Sequence, residues 1–260
     1  MDGTGPTLPQ RVTATLHAKQ FLVFFAIGLY TLDFAVSIVS AWLYRHEPLA
    51  ELLRARGPLA DAVTARSATI AALFVVYLLV GTWLRAGYIR SLVGPFRLRP
   101  ADRRQFLRLL VFLLALDVAG ALAAGAIVLA GAEALLVNAA LLGLLAFNMV
   151  VLYADYIIVI AGVGPLRAVA LSWRAVRAAP IPSALILLAV TLIDIQAASL
   201  FNESVTGSLA RALPMMIVQC VIMGGVLFVA DVVLVVIYLN AAETGKLKPR
   251  PRSTGDGRML

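Results

Sequence analysis

The chain has 260 residues, of which 62% are hydrophobic and only 14% are charged, and its mean hydropathy is +0.94. Soluble domains carry about 25% charged residues, so this composition excludes a soluble globular protein and predicts a membrane protein. The net charge is +8. Because a membrane protein meets anionic lipid headgroups at its surface, we expect anionic lipids rather than nucleic acid as partners of this charge.

Six long apolar segments predict an all-α, polytopic membrane fold. A hydrocarbon core about 30 Å thick is crossed by about 20 helical residues. The predicted spans lie near residues 21–44, 68–91, 107–131, 134–161, 183–201 and 213–240. The chain therefore divides into an N-terminal segment (1–20), a transmembrane domain (21–245) and a basic, proline-broken tail (246–260) that we expect to be disordered.

Basic residues are unevenly distributed between the two sides of the predicted spans. Sixteen of them lie in the N-terminal segment, in the loops after spans 2 and 4 and in the tail, against five on the opposite side. Lysine and arginine are retained on the cytoplasmic side, so both termini are predicted to be cytoplasmic. Arg85 belongs to neither side, since it lies inside span 2.

A single aspartate recurs near the middle of three odd-numbered spans, which indicates an internal repeat of three helical hairpins. These residues are Asp33, Asp117 and Asp194. Two of them are followed, 38 and 37 residues later, by a second aspartate in an Ala-Asp pair, Asp155 and Asp231, whereas Ala86-Gly87 follows Asp33. Each carboxylate at bilayer depth costs about 2.5–3.5 kcal/mol on insertion scales, so five of them indicate a specific role.

Two roles fit the aspartates. If the hairpins close around an axis, the carboxylates form a layered acidic interior for a cation, a proton or a cationic group, with Arg85 as an internal counter-charge. Alternatively, each aspartate is protonated or hydrogen-bonded to a neighbouring polar residue and holds the helices in register, because apolar contacts alone do not drive helix association in lipid. The candidate partners are Thr31, Ser37, Ser40, Asn138, Asn148, Tyr153, Thr191, Gln196, Gln219 and Asn240. The structural role is the interpretation that the sequence pattern favours.

The two linkers on the terminal side resemble each other and predict contacts with lipid headgroups. Gly94-Pro95 opens the first and Gly164-Pro165 the second. Pro165 suits a first helical turn, so residues 165–178 are predicted to form an amphipathic helix lying on the leaflet. The residues predicted to contact headgroups are Arg167, Trp173, Arg174 and Arg177 in that helix and Arg97, Arg99, Arg103 and Arg104 in the first linker. Alternatively, the first linker is an ordinary basic loop.

The loop at residues 45–66 contains leucines at helical spacing, Leu49, Leu52 and Leu53, before a break at Gly57-Pro58. This pattern predicts either an amphipathic helix on the outer surface or an extension of span 2 into water over residues 58–66. The sequence does not decide between the two.

The stretch from Tyr153 to Arg177 resembles the signature of a broad family of six-helix bacterial membrane proteins. That family includes the membrane domain found beside glycerophosphodiester phosphodiesterases and the YciC-like inner-membrane proteins. The matching positions are Gly162, Ala168, Ser172, Trp173 and Arg177. The resemblance implies a six-helix fold in the bacterial cytoplasmic (inner) membrane. The chain departs from the family in carrying no phosphodiesterase domain and in its regular aspartates, so no enzymatic activity is implied.

Catalytic and metal-binding motifs are not evident. The sequence contains no Gly-x-Ser-x-Gly, His-Glu-x-x-His or phosphate-binding glycine loop. His17 and His46 lie apart and near no cysteine, so we predict neither a metal site nor a cofactor. We expect a non-enzymatic accessory or organising component acting with lipids, a membrane protein partner or further copies of itself. The alternative is a small transporter or channel that uses the intramembrane aspartates.

Overall fold

The computed structural model describes the backbone of residues 6–44, 58–97, 102–129, 134–206 and 209–247. Side chains are described for most of these residues. The side chains that are not described include those of residues 37–44, 124–137, 194 and 196–213. All regular secondary structure in the described residues is helical.

Nine α-helices are formed by the described residues. After a capping turn, α1 (Leu8–Lys19) continues through a short 3-10 turn (Gln20–Leu22) into α2 (Val23–Tyr44). The remaining helices are α3 (Pro58–Val93), α4 (Arg103–Leu129), α5 (Ala134–Val151), α6 (Ala154–Ala161), α7 (Pro165–Ala178), α8 (Pro180–Thr206) and α9 (Leu209–Glu243).

Several of these helices are long and apolar enough to cross a membrane. Five candidate spans occur in the described residues: Leu8–Val36, Ala71–Val93, Arg103–Ala123, Asn138–Ala161 and Pro214–Glu243. A sixth is added if α7 and the first part of α8, which meet at an angle of 108°, are counted as one bent span. The all-α character predicted from the sequence is confirmed for the described residues, and five or six candidate spans are consistent with the predicted multi-pass fold.

The long helices form a closed ring around a central axis. Along the chain, α2 packs against α3, α3 against α4, and α4 against both α5 and α6. Both α5 and α9 contact α8, and α9 then returns to α2 in the most extensive helix pair of the structure. Because the first and last long helices meet, every described span faces a common interior.

The α2–α9 contact depends on Gly224. A Cβ added there would lie 2.4 Å from Ile27 Cα and 2.7 Å from its backbone nitrogen, whereas one added at neighbouring Gly225 meets nothing within 4 Å. Glycine therefore allows the two backbones to touch, as small residues do where membrane helices pack closely.

A break separates α5 from α6 inside the fourth predicted span, which the sequence had predicted as one helix over 134–161. At the break, the Tyr153 backbone N–H donates to Ser172 Oγ at 3.0 Å, and its hydroxyl lies 2.7 Å from Ser183 Oγ. Ser172 of α7 thus replaces a backbone hydrogen bond that the helix would otherwise make, which is how interrupted helices are tolerated at membrane depth, and Ser183 of α8 holds the tyrosine side chain.

The opposite end of α6 is closed by Gly162, which adopts a left-handed conformation with φ = +64°. Glycine is favoured at such a helix C-terminus because it carries no Cβ. Ala168 of α7 is fully buried. Three positions of the sequence signature, Gly162, Ala168 and Ser172, therefore serve the local fold.

Both ends of the described chain lie at one end of the ring, here called the terminal end. Arg11 of α1 forms an ion pair of 2.5 Å with Glu243 at the end of α9, and Lys19 Nζ donates to the Gly94 carbonyl after α3. Residues 8–19 are thus helical and packed against the bundle, which the sequence analysis did not predict.

At the same end, Gly245 has φ = +71° and ends α9, and Leu247 packs against the core. The first two residues of the predicted tail therefore lie on the bundle, while residues 248–260 are outside the described part. The predicted outer loop is likewise outside over 45–57, and α3 begins at Pro58.

Candidate functional site

The centre of the ring holds a cavity of about 450 Å³. Residues of α2, α3, α4, α5, α6, α8 and α9 all contribute to its wall. Most of the wall is aliphatic, but it includes the four predicted site aspartates whose side chains are described and the intramembrane arginine: Asp33, Asp117, Asp155, Asp231 and Arg85. The apolar spans thus enclose a charged interior.

One group of these residues, the arginine cluster, consists of Arg85, Asp155, Tyr156 and Asp231. The Arg85 guanidinium donates through Nε and one terminal nitrogen to Asp155 Oδ2, at 2.8 and 2.6 Å, and lies 3.9 Å from Asp231 Oδ1. Both aspartates are buried. Ion pairing and hydrogen bonding are what a buried carboxylate requires at this depth.

Tyrosines complete the arginine cluster. The Tyr156 hydroxyl donates to Asp231 Oδ1, and the Tyr156 backbone N–H donates to Asp155 Oδ1 at 2.8 Å. The Arg85 guanidinium lies 5.8 Å from the centre of the Tyr156 ring. The Tyr88 hydroxyl is buried close enough to Asp231 to interact with its charge, but does not meet hydrogen-bond geometry. The cluster is thus extensively partnered.

Arg85 nevertheless faces the cavity. Its side chain is 31% accessible, compared with 11% for Asp155 and 9% for Asp231. Of the three side chains, Arg85 is therefore the most accessible on the cavity wall.

The second group, the aspartate cluster, consists of Asp33, Tyr77 and Asp117. The Tyr77 hydroxyl donates to Asp33 Oδ1 at 3.0 Å. Asp117 lies near enough to interact electrostatically with both Asp33 and Tyr77, and no hydrogen bond or ion pair joins its carboxylate to the described residues. Both aspartates are exposed rather than buried.

The two clusters lie at different depths. Tyr77 and Arg85 are eight residues apart on α3, which corresponds to about 12 Å along the helix axis. Between them, Thr82 lines the cavity; it is fully buried, and its hydroxyl has no hydrogen-bond partner among the described residues. The arginine cluster is the nearer to the terminal end, since Asp155 is separated from Gly162 by less than two helical turns.

Charge is unbalanced along the cavity wall. Four aspartates and one arginine line it, so acidic side chains outnumber basic ones among the described lining residues. The fifth predicted aspartate, Asp194, belongs to α8, but its side chain lies outside the described residues. Arg85 pairs with Asp155 and Asp231, whereas Asp33 and Asp117 lie on the cavity wall at the aspartate cluster.

The residues predicted to contact lipid headgroups on α7 divide into two kinds. Arg167 and Arg177 are exposed, and the Arg177 guanidinium lies 4.8 Å from the centre of the exposed Trp173 ring. Arg174 is half-buried and donates to the Leu247 carbonyl at 3.2 Å, so it ties the chain end to the bundle. The opposite face of α7, with Ala168, Ser172 and Ala175, is buried.

In the first linker, Arg97 is exposed and its backbone N–H donates to Ser91 Oγ at 2.9 Å. Arg103 and Arg104 are exposed in the first turn of α4, whereas Arg99 lies outside the described residues. These arginines and the intramembrane aspartates occupy separate parts of the structure.

Sequence reasoning missed the tyrosines that bind the aspartates. Tyr77 and Tyr156 were not among the expected partners, whereas two residues that were, Thr31 and Tyr153, bind the Ile27 carbonyl and Ser183 instead. The position of Tyr77 in the sequence was the available signal. It lies eight residues, or about two helical turns, before Arg85 and therefore on the same side of α3.

Comparisons with protein-family models, with curated proteins and with solved structures find no match for this chain. The resemblance of residues 153–177 to six-helix bacterial membrane proteins stays a prediction, and functional inference starts from the cavity.

Proposed function

We propose that this chain is a small membrane transporter or channel that binds a cation, a proton or a cationic solute in its central cavity. The observation that carries the proposal is the lining of the cavity by four intramembrane aspartates against a single arginine. Carboxylates at membrane depth are costly unless compensated, and a bound cation compensates them.

Within this proposal the two clusters have different roles. The arginine cluster carries its own cation and holds α3, α6 and α9 together through Arg85, Asp155 and Asp231. The aspartate cluster faces the cavity, and it is where the ligand charge binds. The Tyr77 hydroxyl fixes Asp33, and Asp117, which has no hydrogen bond to the described residues, receives the ligand.

The proposal is tested by flux into proteoliposomes carrying an inside-negative potential, with protons, Na⁺ and tetramethylammonium as probes. The variant Asp33→Asn/Asp117→Asn keeps side-chain shape and the acceptor for Tyr77 but removes both charges. We expect at least a tenfold loss of flux in this variant. Glu243→Gln, which removes a carboxylate outside the cavity, is the matched control and should retain flux.

Equal flux in the double variant and the wild type excludes the aspartate cluster as the cation site. If the wild type moves none of the probes, the accessory role gains support instead.

That second candidate, a non-enzymatic accessory component, is favoured by one observation. Asp155 and Asp231 are held by contacts within the chain, as expected of carboxylates that fix helix packing. This role predicts that neutralising Asp33 and Asp117 leaves partner and lipid co-purification unchanged.

For either function we propose the bacterial cytoplasmic membrane as the location, with both termini cytoplasmic and anionic lipid bound at α7.

A further inference from the structure

The cavity is much larger than an inorganic ion. Ligand pockets for small organic molecules commonly measure about 300–1,000 Å³, and this one, at about 450 Å³, lies within that range. At about 30 Å³ per water molecule, the volume corresponds to roughly 15 waters. An inorganic cation here would retain most of its hydration shell and make few direct contacts with the wall.

The chemistry of the wall is also unsuited to a bare ion. Inorganic cations are bound by several converging oxygens, about six to eight for Ca²⁺. Between the clusters the wall consists mainly of hydrocarbon side chains, including Leu78, Phe112, Leu116, Leu187 and Leu227. No group of three or more histidine, cysteine or acidic side chains positioned to hold a metal occurs among the described residues.

Two tyrosines lie on the cavity wall near the aspartates. Tyr30 and Tyr77 line the cavity together with Asp33 and Asp117, and the Tyr77 hydroxyl donates to Asp33. Carboxylates combined with aromatic faces recognise ammonium groups, because the ring quadrupole attracts a cation that does not need a complete hydration shell. The aspartate cluster thus offers a charge and a surface that match an alkylammonium.

The remaining length of the cavity suits an apolar body. The aspartate and arginine clusters are about 12 Å apart along α3, and Gly81 and Thr82 lie between them on the wall. Gly81 leaves the wall open there, since an added Cβ would make only ordinary contacts with Tyr77 at 3.8 Å. A hydrocarbon chain directed from the aspartates towards Arg85 fills this space.

We propose that the cavity ligand is a lipophilic organic cation, with its ammonium group at Asp33 and Asp117 and its hydrocarbon body against the leucine-rich wall. This inference rests on the proposed cation site and specifies its substrate class. The site selects by two features, a positive head and an apolar body.

Binding is measured by titration calorimetry on the full chain in nanodiscs, with Na⁺, tetramethylammonium, butyltrimethylammonium and hexyltrimethylammonium as probes. Burial of one methylene contributes about 0.8 kcal/mol, so affinity should rise by about fourfold for each methylene that enters the cavity. Empty nanodiscs of the same lipid give the contribution from partitioning into the bilayer, which is subtracted.

Two variants test where the ammonium group and the hydrocarbon chain of the ligand bind. Asp33→Asn/Asp117→Asn should abolish binding of all alkylammonium probes. Gly81→Leu, which fills the apolar part of the cavity, should lose at least tenfold in affinity for the hexyl compound and retain tetramethylammonium. Both variants are compared with wild type for thermal unfolding and monodispersity, and Gly225→Ala is the matched glycine control.

The outcomes test the substrate class and the cation site separately. Chain-length dependence that both variants abolish as described supports a lipophilic cation. Tight Na⁺ binding that needs Asp33 and Asp117 but shows no gain with chain length overturns the substrate class while the cation site stands. If the wild type binds neither Na⁺ nor any alkylammonium above empty nanodiscs, both the substrate class and the proposed cation site are wrong.

Discussion

The arginine cluster and the aspartate cluster use the same residue type at membrane depth and treat it in opposite ways. Asp155 and Asp231 are buried and paired with Arg85 and Tyr156, whereas Asp33 and Asp117 are exposed on the cavity wall, where the Tyr77 hydroxyl donates to Asp33. A carboxylate that is partnered from within stabilises the fold. A carboxylate that faces the cavity is available to bind a ligand, but it contributes less to the stability of the fold.

The largest expected effect comes from unpairing the arginine cluster. Arg85→Met leaves two buried carboxylates without a cation and should lower the free energy of unfolding by about 3–5 kcal/mol, because an uncompensated buried charge is strongly destabilising. The measurement is thermal or denaturant unfolding in detergent. Arg85→Met/Asp155→Leu/Asp231→Asn should recover most of the loss, and failure to recover would argue against charge pairing as the cause.

A smaller loss of stability is expected at the contact between α2 and α9. These helices carry Asp33 of the aspartate cluster and Asp231 of the arginine cluster, respectively. Gly224→Ala places a Cβ within 2.4 Å of Ile27 Cα and forces the backbones apart. Overpacking of this kind costs about 1–3 kcal/mol, measured as a lower Tm. Gly225→Ala, with open space around its Cβ, is the control. Equal Tm values for the two variants would show that α2 and α9 do not approach this closely.

The contrast between partnered and open charges extends to the arginines of α7. Arg167→Gln and Arg177→Gln should each weaken retention of anionic lipid by about 1 kcal/mol at low salt, with the effect shrinking as salt screens it. Arg174→Gln removes a donor to the Leu247 carbonyl and should affect Tm more than lipid retention. Native mass spectrometry of co-purified lipid reports the first effect. Unchanged lipid in Arg167→Gln/Arg177→Gln would place this face against protein.

The smallest effect is expected at Asp117, which has no hydrogen bond to the described residues. Asp117→Leu should leave the free energy of unfolding within about 1 kcal/mol of wild type or raise it, because insertion scales favour leucine over aspartate at this depth. Asp155→Leu, in the arginine cluster, provides the comparison and should be clearly destabilised. Similar losses for the two would remove the distinction between the clusters.

The sequence predicted the helical fold and its candidate spans well, because lipid imposes a simple rule on helix length and polarity. Apolar runs such as residues 213–240 correspond closely to α9. The break at Tyr153 was not predictable from local sequence, since neither proline nor glycine marks it and its compensating partners, Ser172 and Ser183, come from later helices. Helix α1 was missed, although Thr7, Pro9 and Gln10 form the capping pattern of a helix start.

For the site, spacing along the chain separated the aspartates into two depths but did not assign partners. Arg85 was considered only as a general counter-charge, because its pairing with Asp155 depends on α3 and α6 becoming neighbours in the ring. The sequence contained one further hint: in the first hairpin, Ala86-Gly87 occupies the place of the Ala-Asp pairs, and Arg85 immediately precedes it. In the predicted repeat, the first hairpin thus lacks a second aspartate and carries Arg85, which pairs with Asp155 and Asp231 of the other two hairpins.

Pairing across 70 residues also has a consequence for biosynthesis. A ribosome adds about 5–20 residues per second, so Arg85 is synthesised roughly 4–14 s before Asp155, and longer before Asp231. During that interval Arg85 lacks the two carboxylates that pair with it in the folded chain. Either the first two spans remain at the insertion machinery or Arg85 stays close to the aqueous interface. The insertion of α6, which carries Asp155, then allows Arg85 to reach its final depth.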